Sequence, residues 1–81
     1  MKKTDTLQLI EELCQKLSIT VKYDRFFGRG GFCRLRDRSF FIINEGLSNE
    51  AKEEIFVSEF RSFDFNNTFL PPKLRDLFTR K

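Results

Sequence analysis

The first part of the chain carries apolar residues at helical spacing, and the next part alternates apolar and polar residues. The helical pattern predicts an α-helix over about residues 5–17. Thr4, Asp5 and Thr6 offer N-cap oxygens, and Asp5 and Gln8 stand in capping-box positions. Residues 19–24 alternate and are rich in β-branched side chains, which indicates a half-buried strand. The apolar residues that mark the helix are Leu9, Ile10, Leu13, Cys14 and Leu17.

The middle of the chain predicts a hairpin of two further strands. Residues 26–31 are predicted as a loop, because their glycines are free to take positive φ. Phe32–Arg36 and Ser39–Asn44 follow as strands, with the bend at residues 36–38. The bend lacks the Asn-Gly or Asp-Gly pair that two-residue hairpins favour, so we expect a slightly irregular turn.

Two helices are predicted after the strands. Ser48 provides an N-cap for the first, and Pro72 suits the first turn of a short last helix. Residues 64–68 between them are predicted as a loop. The apolar residues expected on the first helix are Ala51, Ile55, Phe56, Phe60 and Phe63, and those on the last helix are Leu74, Leu77 and Phe78.

These elements define an α+β fold in one small domain over residues 1–81. We expect a three-stranded antiparallel sheet, formed as a meander or hairpin, with helices packed on one face. The helices are an N-terminal helix, a helix after the third strand and a short C-terminal helix. Phe41, Ile43, Val21 and Leu13 are expected to be largely buried.

The composition indicates which side chains supply most of the core. Eleven of the 81 residues are Phe and none is Trp. Phe has a large apolar ring and no polar group, so most of these rings are expected inside. A chain of this length still has a thin core. We therefore expect further burial against a partner protein or a second copy of the chain.

The charges are segregated along the chain. The formal net charge is +3, with +4 in residues 19–44 and −4 in residues 45–66. We therefore expect the two segments to neutralise each other within the fold. The groups expected to meet are Arg34, Arg36 and Arg38 on one side and Glu50, Glu53, Glu54 or Glu59 on the other.

The stretch Gly28–Ile43 is the main candidate for an interaction surface. Strand alternation predicts that Cys33 and Leu35 point one way and that Phe32, Arg34 and Arg36 point the other. The leading interpretation is a solvated charged face. The alternative is a weak nucleic-acid-binding module that uses the basic hairpin 29–38, since a ring beside guanidinium groups can contact bases and phosphates. The candidate residues are Arg29, Phe32, Arg34, Arg36 and Arg38.

The sequence offers no catalytic or metal-binding set of residues. It contains no His, so the usual general base and the commonest zinc-binding nitrogen are both missing, and no cofactor is expected. Cys14 and Cys33 are expected as reduced core residues, with a disulfide between them as the alternative. The first residues contain no apolar run, and the longest one, Phe40–Ile43, is far too short to span a membrane. We expect a cytoplasmic protein without membrane contact.

The predicted elements follow one another in a definite order. A strand is followed by a glycine-containing loop, then by a hairpin that ends in Ile43-Asn44, and then by a Leu47-Ser48 cap at the start of a helix. This order, over residues 19–63, resembles the N-terminal part of ImmA/IrrE-type zinc metallopeptidases, whose helix carries His-Glu-x-x-His. At the matching positions this chain has Ser58, Glu59 and Ser62. The resemblance implies that Glu59 matches the general-base glutamate and that the two serines replace the zinc-binding histidines.

A second resemblance concerns Gly-Gly-x-Cys-Arg-Leu at residues 30–35 and Phe-Leu-Pro-Pro-x-Leu-Arg at residues 69–75. Both are similar to segments of a group of small bacterial proteins, and this resemblance implies no activity. The sequence as a whole therefore predicts a small non-catalytic interaction domain, with a degenerate metallopeptidase-like scaffold as its implied origin and a protein partner or a homodimer as its assembly.

Overall fold

Three helices and three strands form in the predicted order. The computed structural model describes residues 3–65 and 68–79, so residues 66 and 67 of the predicted loop lie outside the described part. The predicted N-terminal helix, the helix after the third strand and the short C-terminal helix are all confirmed. The elements are α1 (Asp5–Lys16), β1 (Ile19–Asp24), β2 (Gly30–Leu35), β3 (Arg38–Asn44), α2 (Asn49–Phe60) and α3 (Pro72–Thr79).

Hydroxyl caps fix the start of the first two helices. The Thr4 hydroxyl accepts a hydrogen bond from the Leu7 amide at 3.1 Å, so Thr4 rather than Asp5 caps α1. The Ser48 hydroxyl accepts one from the Ala51 amide at 3.2 Å, which confirms the predicted cap of α2. Each cap satisfies one of the amides that a helix leaves free in its first turn.

The sheet is mixed, so the prediction of an antiparallel sheet was wrong. β3 is the central strand, with β1 parallel to it on one side and β2 antiparallel to it on the other. The predicted β2–β3 hairpin forms, with Phe32 opposite Phe41. β1 ends opposite Asn44 and β2 starts opposite Ile43, so loop 25–29 has to cross the end of β3.

Asn44, the last residue of β3, holds this crossing loop. Its side-chain amide donates to the carbonyl oxygens of Phe26 at 2.9 Å and Gly28 at 2.7 Å. Its backbone amide donates to the carbonyl oxygen of Arg29 at 3.0 Å, and its side-chain oxygen accepts from the Gly46 amide at 2.9 Å. One asparagine therefore satisfies backbone groups of the crossing loop and of the turn that leads to α2.

β2 begins at a position where only glycine fits. It starts at Gly30, two residues before the predicted strand, and Gly30 has a φ of +102°. A Cβ atom added there would lie 1.9 Å from the carbonyl oxygen of Ile42. The close approach of β2 to the central strand therefore depends on the missing side chain.

Helices cover one face of the sheet. α1 and α2 contact the strands, and α3 packs against both of those helices. On the covered face Phe41 and Ile43 are 0% exposed, and Leu13 of α1 is 2% exposed, as predicted. Val21, also predicted in the core, is half-buried against it. The strand faces were therefore assigned correctly for β3.

Phenylalanine rings supply the centre of the core. Phe60 of α2 lies at the middle of the network, with its ring centroid 5.3 Å from that of Phe41 and 5.2 Å from that of Phe78. Ring pairs at such distances gain energy beyond their buried area. The rings in the network are Phe32, Phe41, Phe56, Phe60, Phe63, Phe65 and Phe78.

Candidate interaction surface

The other face of the sheet is exposed, and we call it the open face. Side chains alternate between the two faces along each strand, and cross-strand partners share a face. Because Phe41 and Ile43 point to the helices, Phe40 and Ile42 point away from them. The open face consists of Thr20, Lys22 and Asp24 of β1, Gly31, Cys33 and Leu35 of β2, and Arg38, Phe40 and Ile42 of β3.

An apolar strip runs along the open face. Leu35 is 67% exposed and Ile42 is 37% exposed, with the half-buried Phe40 between them. Gly31 lies opposite Ile42, and a Cβ atom added at Gly31 would meet nothing within 4 Å. The surface beside Ile42 is therefore open at Gly31. Exposed apolar surface of this kind is typical of sites that bind another molecule.

Two cations border the apolar strip. The Lys22 ammonium nitrogen lies 5.6 Å from the centroid of the Phe40 ring, and Arg38 is paired with Leu35 across the hairpin. Asp24 is the acidic residue of the open face, and its carboxylate accepts a hydrogen bond from the Arg25 amide at 2.8 Å. The open face therefore combines an apolar centre with a cationic border.

The predicted interaction residues do not share one surface. Phe32 faces the helices, and its ring centroid lies 5.1 Å from that of Phe41. Arg34 is exposed on the same side of β2 as Phe32, as the alternation predicted. Arg36 lies in the two-residue turn of the hairpin, with a φ of 58° that is uncommon for a residue other than glycine. Of these residues only Arg38 lies on the open face.

The expected neutralisation between the hairpin and α2 is small. Arg29 and Glu54 approach to 4.0 Å, with both side chains largely exposed. In the ranges 3–65 and 68–79, no carboxylate lies within 4.0 Å of the cationic groups of Arg34, Arg36 or Arg38. The prediction that glutamates of α2 meet the charge of these three arginines was therefore wrong. The three arginines are each exposed, but they do not form the single solvated face of the leading interpretation, because Arg34 lies on the helix side of β2 and Arg38 on the open face.

The positions that match the zinc motif lie at the end of α2. The Ser58 hydroxyl donates to the Ile55 carbonyl at 3.1 Å, and the Ser62 hydroxyl donates to the Glu59 carbonyl at 2.9 Å. Both hydroxyls are thus engaged by their own backbone. Ser58 borders a depression beside Leu77, whereas Ser62 borders another one beside Arg34. The two hydroxyls do not face a common cavity.

The two cysteines have different environments. Both thiols are free, with Cys14 fully buried and Cys33 exposed on the open face. The prediction of two core cysteines is therefore correct for Cys14 and wrong for Cys33. Burial raises the pKa of the Cys14 thiol to about 12, and the nearby carboxylate of Glu11 adds to the rise. At neutral pH Cys14 is an unreactive packing residue.

The described residues contain neither a metal-binding cluster nor a membrane-spanning helix. Within residues 3–65 and 68–79, no three side chains of the types His, Cys, Asp and Glu are grouped so that they could hold a metal ion. None of the helices in these ranges combines the length and the apolar character needed to cross a bilayer.

Comparisons with known proteins do not identify a relative. No protein-family model matches the chain, and no curated protein or solved structure matches it. The resemblances seen in residues 19–63, 30–35 and 69–75 therefore stay predictions.

The sequence pattern missed most of the open face. Lys22, Phe40 and Ile42 were not among the candidate surface residues, although Phe40 and Ile42 alternate with the two core residues of β3. A continuous apolar run such as Phe40–Ile43 does not reveal whether one face of its strand is covered or both.

Proposed function

We propose that the protein is a small non-catalytic interaction domain that binds a partner protein through the open face of its sheet. The observation that carries this proposal is the apolar strip of Leu35, Phe40 and Ile42 on the face of the sheet that no described helix covers. The Lys22 and Arg38 border complements a partner segment with acidic side chains around an apolar centre. The occupant to which we commit is a segment of another protein with that chemistry.

A second copy of the chain is a poorer occupant because of charge. Two open faces packed against each other would bring two cationic borders together, and like charges at an interface disfavour association. An acidic and apolar segment would instead bury Leu35 and Ile42 and pair with Lys22 and Arg38. The open surface at Gly31 leaves Ile42 accessible to an apolar side chain of such a segment.

The non-catalytic part of the proposal rests on side-chain chemistry. The chain contains no His, and Ser58 and Ser62 stand where the metallopeptidase motif has its ligands. Serine hydroxyls are poor neutral ligands for zinc. Elemental analysis of protein purified without added metal is expected to find clearly less than one zinc per chain. One zinc per chain that survives dialysis would contradict this part of the proposal and would direct attention to the cysteines.

The proposal also places the protein in the reducing cytoplasm, as a degenerate relative of the metallopeptidase scaffold. The two free thiols support the reducing compartment. The Ser48 cap and the position of Glu59 within α2 support the second point. Both points are compatible with a binding role that needs no catalytic group.

A peptide selection tests the interaction surface directly. A library of random peptides displayed on phage is selected on the wild-type protein and, in parallel, on the double variant Leu35→Asp/Ile42→Asp. We expect enriched peptides that combine acidic and apolar residues and that bind the wild type but not the double variant. The matched control is Gln8→Glu/Gln15→Glu, which adds the same charge at exposed positions of α1 and should keep the binding.

The outcomes separate the alternative occupants. The molar mass is measured by light scattering as the protein elutes from a size-exclusion column, at low and at high concentration. We expect the mass of a monomer at both concentrations. A dimer that dissociates in the Leu35→Asp/Ile42→Asp variant would replace the proposed partner with a second copy. Enrichment that is unaffected by the double variant, enrichment of basic peptides, or no enrichment at all would each contradict the proposed surface.

A further inference from the structure

A separate pocket lies at the carboxyl ends of the two parallel strands. It has a volume of about 350 Å³ and opens between the turns that follow β1 and β3. In open sheets with parallel strands, this end is where ligands usually bind. The residues that line the pocket are Lys3, Leu7, Tyr23, Arg25, Glu45, Gly46, Leu47, Asn49 and Lys52.

The lining carries more positive than negative charge. Lys3, Arg25 and Lys52 contribute three cations, and Glu45 contributes one carboxylate. Lys3 is partly neutralised, because its ammonium group lies 2.9 Å from a carboxylate oxygen of Glu11. Along the described parts of the chain, neither of the other two cations has a carboxylate within 4.0 Å. Two cationic groups thus border the pocket without an acidic partner.

The neighbouring carboxylates are already engaged. The hydroxyl of Tyr23 donates a short hydrogen bond to Glu11, and the hydroxyl of Thr4 donates to Glu53 at 2.6 Å. Burial, followed by the hydrogen bond to Glu11, raises the pKa of Tyr23, so its hydroxyl stays a donor across the physiological range. Neither glutamate is among the lining residues, and neither carboxylate lies within 4.0 Å of the cationic group of Arg25 or Lys52.

The pocket also has an apolar wall. The side chain of Leu7 is 1% exposed, and the half-buried Tyr23 and Leu47 stand beside it. The ammonium nitrogens of Lys3 and Lys52 each lie 5.4 Å from the centroid of the Tyr23 ring. The tyrosine ring therefore helps to hold the two lysines at the pocket, since cations are attracted to aromatic faces.

We propose that this pocket binds a small organic phosphate monoester, with its phosphate between Arg25 and Lys52 and its flat apolar part against Leu7 and Tyr23. A phosphate dianion matches two unpaired cations and offers acceptor oxygens to both. The apolar wall selects a ligand that carries more than the anion alone. This site is distinct from the open face and does not depend on the function proposed for that face.

Phenyl phosphate is a suitable probe because it combines both parts. Its binding to the full chain is followed by isothermal titration and by amide chemical shifts, next to inorganic phosphate, benzoate and phenol. We expect phenyl phosphate to bind with a Kd of about 1 mM or lower and the other three probes to bind more weakly. Arg25→Gln and Lys52→Gln are each expected to weaken phenyl phosphate about fivefold or more, the loss of one charged hydrogen bond at an accessible site.

The matched control is Arg34→Gln, which removes the same charge at an exposed position outside the pocket and should leave the affinity unchanged. An equal loss in this control would show that the attraction comes from net charge, and the pocket would not be a site. Benzoate binding as tightly as phenyl phosphate would overturn the choice of a dianion, and equal binding of phenol would overturn the role of the cations. No binding of phenyl phosphate to a folded protein would overturn the proposal.

Discussion

The two faces of the sheet differ in what covers them, although both are rich in apolar residues. On β3, Phe41 and Ile43 of the helix-covered face are 0% exposed, whereas their neighbour Ile42 on the open face is 37% exposed. The covered face is bordered by a network of aromatic rings, and the open face by Lys22 and Arg38. Alternation along one strand thus separates a folding surface from a candidate binding surface.

This difference follows from how few elements the chain has. α1 and α2 reach one side of the three strands, and α3 adds a further layer over those two helices. No described element remains to cover the other side, yet the central strand of a small sheet still favours apolar side chains on both faces. The covered face should therefore govern stability, and the open face should govern association.

The largest effect is expected from Phe41→Ala on the covered face. Removal of this buried ring should cost about 3 to 5 kcal/mol of unfolding free energy, which is most of the stability of a domain this small. Ile42→Ala, one residue along on the open face, should cost less than about 1 kcal/mol. Urea unfolding followed by circular dichroism measures both.

The milder Phe41→Leu keeps this comparison measurable if Phe41→Ala does not fold. It should lose less stability than the alanine variant and still more than Ile42→Ala. Equal losses at positions 41 and 42 would show that both faces are covered in solution.

The burial of β3 was predictable from the sequence, and the pairing of β1 was not. The run of large apolar side chains at Phe40–Ile43 predicts that β3 contributes to the core, although the run alone does not show that Phe41 and Ile43 are the residues that face the helices. Consecutive strands are neighbours in most folds, so a meander was the natural prediction. Nothing in the apolar pattern shows that Asn44 ties loop 25–29 across the end of β3, because those hydrogen bonds go to backbone carbonyls.

The candidate site was less predictable than the fold. The arginines of the hairpin attracted attention as a charge cluster, but Arg34 lies on the side of β2 that faces the helices, Arg36 in the turn and Arg38 on the open face. The pocket beside Tyr23 joins the start of α1, the end of β1, the turn after β3 and the start of α2. Only the parallel pairing of β1 and β3 brings these groups together, and the sequence pattern did not contain that pairing.

The second effect concerns the contact between β2 and the central strand. Gly30→Ala would place a methyl group 1.9 Å from the Ile42 carbonyl oxygen at a φ of +102°, so we expect a loss of about 3 kcal/mol. Gly31→Ala is the matched control, because its methyl group would point to open space beside Ile42. It should change the stability by less than about 1 kcal/mol.

Both glycine variants are measured by thermal and urea unfolding. The Gly31 variant additionally places a methyl group on the open face beside Ile42, so it should weaken the binding of the selected peptides while leaving the fold intact. If Gly31→Ala lost as much unfolding free energy as Gly30→Ala, the surface around Gly31 would be packed against another part of the protein and the open face would not be exposed.

The third effect is a pH dependence that distinguishes the two cysteines. The pKa of Cys14 is about 12 in the fold against an ordinary value of 9.0, so the unfolded chain loses this proton first as the pH rises. The stability contributed by the buried neutral thiol is complete below about pH 9 and is lost progressively towards pH 12. At pH 10 the wild type should have lost about 1 to 2 kcal/mol from this group.

Between pH 8 and pH 10, the unfolding free energy of Cys14→Ala should decline less than that of the wild type. The unfolding free energy of Cys33→Ala, a variant on the open face, should decline as in the wild type. The pKa of Tyr23 is also raised in the fold, which gives a decline of the same sign in all three proteins, and its interaction with an ionised Cys14 begins only above the pH range that is compared. Identical pH profiles for all three proteins would contradict the buried position of Cys14.

The smallest effect is expected for the binding of nucleic acid. Stacking on Phe32 is excluded by its place against Phe41, and the three hairpin arginines do not form one face. A labelled single strand and a labelled duplex should therefore bind no more tightly than the non-specific range, about 10⁻⁴ to 10⁻⁶ M, with a steep decrease between about 50 mM and about 200 mM salt.

Arg34→Glu/Arg36→Glu should weaken this binding no more than an equal charge change elsewhere, such as Lys16→Glu/Lys73→Glu. Submicromolar affinity at the higher salt concentration, lost in the hairpin variant and kept in the control, would make the hairpin a nucleic-acid site and would displace the open face as the main interaction surface.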